Sequence, residues 1–590
     1  MLKQILTYMK KFRVSAIFSI ILTVLNNGMQ LLLPAMMSLI INNGITNSAE
    51  SGGIDYIKNI GTYMIIASFL ALIIAGFSSH FSSKASTGFA KELRRAVFTK
   101  IESLTESDID SISTSSLITR STNDVRQVEN MILTCIRMLM SSLIMLIGGT
   151  VMAFSLNKVL AGTLFAVVPI VLIFAALIMK KIIPMYDTVQ KFTDKLNQVL
   201  REKIGGIRVI RAFNKTEYED KRFKDSNDKL TDIMLKINRI YAMLIPVGSL
   251  LLIGVIVLLV YINTKQIENA DIMNPASVEM IKNTVGNLQA FIIYALMIIA
   301  AITMAASMYV FIPKAMISVN RINEVLNLKP GINDLSSPVS CNKNNTVEFR
   351  NVSFSYSDNE TDILKNISFT ANAGEVTAII GGTGSGKSTI INLIPRFYDV
   401  TEGQLIIGGV NIKNTSQVEL RNKIALIPQQ AVLFSGTIAD NLRFGKEDAT
   451  EEEMWEALRI AQAEDFVRKM PDKLESFVSQ GGKNLSGGQK QRLAIARAII
   501  KKADIYIFDD SFSALDFKTD ALLRTAIRKE LKNSTLIIVA QRIGTIIDAD
   551  KTIVLSEGKA VGIGKHAELS QNCEEYIEIM KSQLSEEDLV

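Results

Sequence analysis

A glycine-rich stretch at residues 381–388 has the residue types and the spacing of a phosphate-binding loop. Its sequence, GGTGSGKS, fits the pattern G-x-x-x-x-G-K-[ST] in full, and it lies between the strand-like run VTAII and the helical run STIINLI. Successive backbone N–H groups of such a loop can point at phosphate oxygens, and the start of the following helix adds a favourable dipole. We therefore predict a site for ATP and Mg²⁺, with Lys387 on the β and γ phosphates and Ser388 on the metal. A chance glycine-rich loop is the alternative, and both flanking elements argue against it.

A carboxylate further along the chain completes the predicted metal site. Residues 505–508 form an apolar run with the character of a buried strand, and Asp509 follows it directly. A carboxylate at the tip of such a strand can hold the water shell of Mg²⁺. The apolar run with an aspartate is weak evidence alone, and it gains weight from the glycine-rich loop.

The predicted ATP site lies in the C-terminal part of the chain, and long apolar segments precede it. The 590 residues suggest several domains, and 48% of them are hydrophobic while only 21% are charged. A membrane-spanning helix needs about 20 mostly apolar residues, and buried helices of one soluble domain are a poor alternative for so many long runs. The predicted spans lie at 14–41, 58–80, 132–155, 159–180, 241–263 and 286–312.

Charge and cysteine content exclude several other classes of protein. The net charge is only +6, and no basic tract with interleaved aromatic residues is present, so we expect no nucleic-acid partner. The three cysteines are far apart and form no metal or disulfide pattern. The basic, amphipathic N-terminus is predicted to be a helix on the membrane surface instead of a removed signal.

The distribution of basic residues predicts the orientation. Lys3, Lys10, Lys11 and Arg13 precede the first span. Residues 42–57, in contrast, hold Glu50 and Asp55 and no basic residue. The positive-inside rule then places the N-terminus in the cytoplasm, and six spans place the C-terminal domain there too.

The long connections and the polar residues within the spans each allow two interpretations. Segments 81–131 and 181–240 are either solvated helical extensions or levers that meet the ATP domain. Polar side chains within the spans either line an aqueous cavity or form hydrogen bonds between helices. These polar residues are Asn26, Asn27, Gln30, Arg137 and Gln289.

The predicted fold class is a membrane α-helical bundle fused to an α/β P-loop nucleotide-binding domain. The bundle has six transmembrane helices with long cytoplasmic extensions. The predicted boundaries are 1–325 for the transmembrane domain, 326–342 for a linker and 343–590 for the nucleotide-binding domain.

The segment LSGGQ at 485–489, followed by the helical run KQRLAIARA, closely resembles the signature of ABC transporters. With six preceding spans, the chain resembles a B-type, P-glycoprotein-like exporter half. It is most similar in kind to the degenerate-site subunit of bacterial heterodimeric multidrug exporters. Residues 206–215 (GIRVIRAFNK) look like the second coupling loop, and residues 120–129 (RSTNDVRQVE) resemble the first intracellular loop.

The resemblance implies roles for individual residues. Tyr356 occupies the adenine-stacking position, and Gln429 occupies the position of the Q-loop residue that senses Mg²⁺. Ser513 and Asp516 belong to the D-loop. In a head-to-tail dimer, the signature would contact the ATP bound by the partner chain. The phosphate-binding residues are Gly381, Gly382, Thr383, Gly384, Ser385, Gly386, Lys387, Ser388 and Thr389, and the signature residues are Leu485, Ser486, Gly487, Gly488 and Gln489.

Two positions depart from the family. Asp510 stands where the family has the glutamate that polarises the attacking water, and Gln541 stands where it has a histidine. A shortened carboxylate and a missing imidazole both weaken the positioning and electrostatics on which phosphoryl transfer depends. We therefore expect ATP binding without efficient hydrolysis. The alternative is that both are conservative replacements with normal turnover.

The intact signature beside a weakened ATP site predicts a heterodimer with a second ABC half-transporter that carries the competent residues. The resemblance implies an exporter in the bacterial plasma (inner) membrane that contacts lipid and moves small amphipathic molecules, drugs or lipids. A different-class alternative is an ATP-gated or regulatory protein that does not pump. A lipid floppase is a third interpretation, which differs only in cargo.

Overall fold

The computed structural model describes residues 2–46, 52–156, 158–268, 281, 283–335, 337–340, 345–356 and 362–583. Glu50, Cys341 and part of the predicted linker lie outside the described residues. The chain divides into two compact units. The first is Met1–Ser103 with Ile112–Lys329, and the second is Leu104–Ser111 with Pro330–Val590.

Over its described residues the first unit consists of helices joined by short turns, and it contains no strand. A chain that crosses lipid must satisfy its backbone polar groups internally, which helices achieve. It contains a 3-10 turn at Leu6–Phe12 and π-helical segments at Ile40–Thr46, Arg120–Asp124 and Cys135–Leu139. The α-helices up to residue 327 are α1 (Leu2–Ile5), α2 (Arg13–Leu39), α3 (Ile54–Glu102), α4 (Glu106–Ile112), α5 (Thr114–Thr119), α6 (Val125–Thr134), α7 (Met140–Leu156), α8 (Lys158–Gly205), α9 (Ile207–Ala212), α10 (Thr216–Glu268) and α11 (Thr284–Asn327).

Helices long and apolar enough to cross a membrane occur four times in the described part of the chain. They are Leu6–Thr46, Ile54–Glu102, Thr114–Leu156 and Thr284–Ala305. The predicted spans at 159–180 and 241–263 lie within α8 and α10, where several side chains are outside the described set. The total of six spans therefore stays a prediction.

Polar side chains join the helices inside the bundle. Asn27 is only 2% exposed; its amide nitrogen donates to the Thr23 carbonyl oxygen at 2.9 Å, and its oxygen accepts from the Ser141 hydroxyl at 2.9 Å. The Thr23 and Ser78 hydroxyls lie 2.8 Å apart, linking α2 to α3. A buried polar group that is hydrogen-bonded costs far less than an unpaired one. Of the two interpretations of the polar residues within the spans, the structure supports hydrogen bonding between helices for Asn27.

The second unit contains two main sheets. In the six-stranded sheet the order is β12-β11-β3-β10-β9-β6, with all neighbours parallel except β12, which is antiparallel to β11. A four-stranded antiparallel sheet has the order β2-β1-β4-β5, and β7 pairs with β8. The strands are β1 (Val347–Phe354), β2 (Leu364–Ala371), β3 (Val376–Gly381), β4 (Glu402–Ile407), β5 (Val410–Asn411), β6 (Ile424–Ile427), β7 (Gly436–Thr437), β8 (Phe477–Val478), β9 (Ile505–Asp509), β10 (Thr535–Val539), β11 (Lys551–Ser556) and β12 (Lys559–Gly564).

Helices cover the parallel sheet, so its central strands are buried and apolar, as parallel strands usually are. All four residues at 505–508 of β9 are fully buried. The helices of this unit are α12 (Lys387–Leu393), α13 (Gln417–Asn422), α14 (Ile438–Arg443), α15 (Glu451–Ile460), α16 (Glu464–Arg468), α17 (Gly487–Ile500), α18 (Phe517–Glu530), α19 (Ile543–Ile546), α20 (His566–Asn572) and α21 (Glu574–Gln583).

We predict that Ile507→Ala destabilises this unit. Ile507 is 0% exposed in a central strand, and truncating a buried isoleucine costs about 2–5 kcal/mol. This corresponds to a lowering of the unfolding midpoint of about 5–15 °C for a domain of this size. The single tryptophan of the chain, Trp455, packs partly buried against the core of the same unit, so its fluorescence reports this transition. Val418→Ala, at a side chain that is 70% exposed, is the matched control, and equal shifts for both variants would contradict the prediction.

Candidate nucleotide-binding site

The glycine-rich loop connects the end of β3 to the start of α12. Gly384 has a φ of 82° and Gly386 has a φ of 99°, which is backbone that glycine adopts at little cost. A Cβ added to Gly386 would lie 2.6 Å from Cδ2 of Leu364. The loop therefore needs glycine at this position for both its backbone conformation and its close packing.

Lys387 lies across the loop. Its Nζ donates to the Gly381 carbonyl oxygen at 2.8 Å and to the Gly382 carbonyl oxygen at 2.7 Å. Burial lowers the pKa of Lys387, while the charges of Asp510 and Asp509 oppose that shift. The ammonium group of Lys387 therefore lies between the loop carbonyl oxygens and the two carboxylates.

Asp509 and Asp510 reach the same edge of the sheet from β9. In the parallel register Asp509 lies opposite Val539 of β10, and Val539 lies opposite Ile379 of β3. Burial raises the pKa of Asp509, the Asp510 charge raises it further, and Lys387 opposes the shift. The carboxyl ends of these strands bring Asp509, the predicted metal ligand, to the same edge of the sheet as the glycine-rich loop.

Asp510 has an unusual backbone and several partners. Its φ is 44°, in the left-handed region that aspartate tolerates better than most residues, and its N–H donates to the Val539 carbonyl oxygen at 2.9 Å. Gln429 Nε2 donates to Asp510 Oδ2 at 3.3 Å. Burial raises the pKa of Asp510, and hydrogen bonds from Gln429, Ser513 and the Gln541 backbone oppose the shift. The two positions that depart from the family, 510 and 541, are therefore direct neighbours.

The oxygen donors at this edge fit Mg²⁺. Ser388 contributes a hydroxyl and Asp509 a carboxylate, and Gln429 reaches the same group of side chains through Asp510. Mg²⁺ is usually held by one or two carboxylates together with substrate phosphates instead of a full protein cage. Over the described residues, no group of three or more His, Cys, Asp or Glu side chains could hold a metal ion.

Tyr356 lies in a cluster of aromatic rings. Its ring is 43% exposed, and its hydroxyl lies 3.3 Å from the Thr389 hydroxyl. Edge-on contacts join it to Phe354, with ring centroids 5.0 Å apart, and to Tyr398, at 5.1 Å. The exposed part of the Tyr356 ring offers a surface for an aromatic base.

Tyr398 and α4 were missed by the sequence reasoning. Leu104–Ser111 belongs to the second unit, although it follows the predicted second span. Burial raises the pKa of Tyr398 to about 12, and the charges of Glu106 and Asp110 in α4 add to the shift. The Gly331 N–H also donates to Asp108 Oδ2 at 3.1 Å. The acidic character of α4 was the only sequence signal, and it does not specify these partners.

The signature forms the start of α17. Ser486 caps the helix: its hydroxyl accepts from the Gln489 N–H at 3.3 Å, and the Gln489 side chain accepts from the Ser486 N–H at 2.9 Å. A Cβ on Gly487 would meet nothing within 4 Å, so this helix terminus is open. Such a terminus can bind an anion. Over the described residues no hydrogen bond joins the signature to the glycine-rich loop of the same chain.

The D-loop lies beside both groups. The Ser513 hydroxyl donates to the Asp510 carbonyl oxygen at 2.8 Å, and Asp516 caps α18 by accepting from the Thr519 N–H at 3.0 Å. A Cβ on Gly488 would lie 3.3 Å from the Ala514 carbonyl oxygen, so the signature helix packs against this loop. The loop thus connects Asp510 to the start of α17 within one unit.

Comparison with known proteins covers both units. The family described as "ABC transporter transmembrane region" matches residues 16–302, and the family described as "ABC transporter" matches residues 364–513. An uncharacterized ABC transporter ATP-binding protein of Mycobacterium tuberculosis (strain ATCC 25618 / H37Rv) is 36% identical over 558 residues, covering 94% of this chain and 93% of the relative. An ATP-dependent lipid A-core flippase of Syntrophus aciditrophicus (strain SB) is 31% identical over 528 residues, covering 88% and 86%.

The fold also matches a solved structure along almost its full length. The structure of a bacterial Atm1-family ABC exporter with ATP bound superposes with a TM-score of 0.80 at 23% identity, covering 98% of this chain and 100% of the other. The predicted fold class is confirmed: a transmembrane helical domain is fused to an ABC nucleotide-binding domain. With both family regions in one polypeptide and relatives that match it nearly end to end, the chain belongs to the ABC transporter family, as an integral membrane protein with an exporter-type fold.

Proposed function

We propose that this chain is one half of an ATP-driven exporter whose own site binds ATP but hydrolyses it slowly. One observation carries the proposal: the groups that hold nucleotide are intact, whereas Asp510 and Gln541 stand together where the family has glutamate and histidine. Lys387 would contact the phosphates, and Ser388 and Asp509 would hold Mg²⁺, whose charge would offset that of the phosphates. Asp510 alone is left to polarise the attacking water.

The expected loss of rate has two physical causes. Aspartate is one methylene shorter than glutamate, and misplacing a catalytic group by about 1 Å can cost on the order of 10²-fold. Glutamine cannot become cationic, so it offers less stabilisation to the phosphate charge that shifts during transfer. Neither the aspartate at 510 nor the glutamine at 541 replaces a residue that is predicted to bind the phosphates or the metal. Binding is therefore expected to persist while hydrolysis is slow.

A second, different half-transporter is the partner that we propose. The capped and open start of α17 fits the role of closing on ATP held by another chain. The turn around α9 also has no buried residue over Ile207–Ala212, and Val209 and Phe213 are 61% and 73% exposed. Apolar side chains on a charged helical extension are expected to be covered by another surface. A partner that carries glutamate and histidine would use this chain's signature for fast hydrolysis.

The cargo that we propose is a small amphipathic molecule, either a drug or a lipid. The lipid A-core flippase among the relatives favours lipid without deciding it. The location that we propose is the bacterial plasma (inner) membrane, with the nucleotide-binding domain and the N-terminus in the cytoplasm. ATP-dependent uptake into inside-out vesicles would distinguish this exporter from an ATP-gated or regulatory protein.

We predict that Asp510→Glu combined with Gln541→His raises hydrolysis at this chain's site. The purified chain alone should hydrolyse ATP slowly, and the double variant should be about 10- to 100-fold faster, because it restores the reach of the carboxylate and an ionisable ring. The measurement is phosphate release in lipid nanodiscs at saturating ATP.

The matched control places the same two substitutions at exposed positions, as Asp448→Glu with Gln404→His. It should leave the rate unchanged. Fast turnover by the unaltered chain would contradict the slow-site proposal directly.

We also predict that Asp509→Asn removes most of the gain in ATP affinity that Mg²⁺ provides. A charge-assisted interaction is worth about 1.5–3 kcal/mol, so the loss should be about 10- to 100-fold. Calorimetric titration with and without Mg²⁺ measures it. Asp504→Asn, in the same unit, is the control, and an equal Mg²⁺ effect in both variants would reject Asp509 as a ligand.

A further inference from the structure

The last described residue of the chain contacts the turn that carries Gln541. The amide oxygen of Gln583 accepts from the Ile543 N–H at 2.9 Å, and its amide nitrogen donates to the Gln541 carbonyl oxygen at 2.6 Å. One amide group therefore holds the backbone on both sides of Arg542. Glutamine suits this contact, because its side chain offers a donor and an acceptor together.

The turn has no other cap in the described structure. Ile543 is the first residue of α19, and its N-cap residue, Arg542, makes no side-chain capping bond. The first N–H groups of a helix need partners from outside the helix. The Gln583 side chain provides such a partner for the Ile543 N–H, and it comes from a helix about 40 residues further along the chain. The Ile543 side chain itself is 1% exposed.

The helix that carries Gln583 is itself anchored. In α21 the Tyr576 ring is fully buried, and its hydroxyl lies 2.8 Å from His566 Nδ1. Ile579 and Met580 pack against the same hydrophobic core as the parallel sheet. Gln583 is therefore an exposed side chain on a fixed support, and its contact with the turn does not depend on other side chains of the turn.

The hydrogen bond between Gln583 and Gln541 connects α21 to the predicted ATP site. The Asp510 N–H donates to the Val539 carbonyl oxygen at 2.9 Å, which places Asp510 at the end of β10, two residues before Gln541. The Gln541 backbone helps to lower the pKa of the Asp510 carboxyl, and the Gln541 carbonyl oxygen is the group to which Gln583 donates. Both interactions involve the backbone of Gln541, so fixing one restricts the other. We propose that Gln583 is a positioning residue of this ATP site, acting on Asp510 through the backbone of Gln541. This inference rests on the proposed ATP site and not on that site being slow.

The experiment compares Gln583→Ala with the unaltered full chain in nanodiscs. We expect the hydrolysis rate at saturating ATP to fall about three- to tenfold, with KM for ATP unchanged within about twofold, because phosphate binding does not involve this turn. Slow rates are followed under single-turnover conditions with excess protein. Ser582→Ala is the matched control, since the Ser582 hydroxyl bonds only within its helix, to the Ile579 carbonyl oxygen. An unchanged rate for Gln583→Ala overturns the proposal.

Gln583→Glu separates positioning from a general structural effect. The ionised carboxylate can accept from the Ile543 N–H but cannot donate to the Gln541 carbonyl oxygen. We expect the rate of this variant at pH 7.5 to fall as it does in Gln583→Ala, while the Ile543 amide keeps its acceptor and its slow hydrogen exchange. A rate equal to that of the unaltered chain counts against the proposal.

Hydrogen exchange tests the contact independently of catalysis. Loss of the Gln583 acceptor should speed exchange at the Ile543 amide about tenfold or more in Gln583→Ala, but not in Ser582→Ala. Unchanged exchange overturns the proposal even if the rate falls. Fast ATP turnover by the unaltered chain would refute only the slow-site function, because the ratio between variant and unaltered chain still measures the effect of Gln583.

Discussion

The parallel pairing of β3, β10 and β9 is the constraint on which the ATP site depends. Because Asp509 lies level with Val539 and Ile379 in that register, the end of β9 meets the glycine-rich loop that follows β3. The hydrogen bond from the Asp510 N–H to the Val539 carbonyl oxygen continues the pairing one residue beyond the strand. A slip by one residue would turn the carboxylate of Asp509 to the other face of the sheet. The same strand register therefore positions both the phosphate-binding loop and the predicted metal ligand.

Binding and hydrolysis depend on different parts of this edge. The loop, Lys387 and Asp509 are held by the sheet and by contacts with backbone carbonyl groups. Asp510 and Gln541 depend instead on a left-handed residue and on a short turn, which are stabilised by side chains from distant segments. A family member can therefore change the second group without disturbing the first. This separation is the physical basis of the proposal that the site binds ATP and hydrolyses it slowly.

The helical unit follows a different rule, because its surroundings do not reward burial of apolar surface. Apolar side chains such as Ile65, which is 72% exposed, cover its outside, while hydroxyls and amides join the helices inside. Hydrogen bonds between helices act there together with a buried apolar cluster that includes Leu31, Leu259 and Phe291.

The sequence by itself determined the features that are encoded locally. Runs of about 20 apolar residues specify helices that can cross lipid, the spacing of 381–388 specifies a phosphate loop, and 505–508 specifies a buried strand that ends in Asp509. Asp510 and Gln541 were recognisable as departures because each stands inside a recognisable motif. Only the tertiary structure decided which distant groups meet: Tyr398 beside Tyr356 and α4, and Gln583 on the turn of Gln541. These contacts join segments far apart in the chain, and no periodicity or spacing encodes them, because they arise from packing against a shared core.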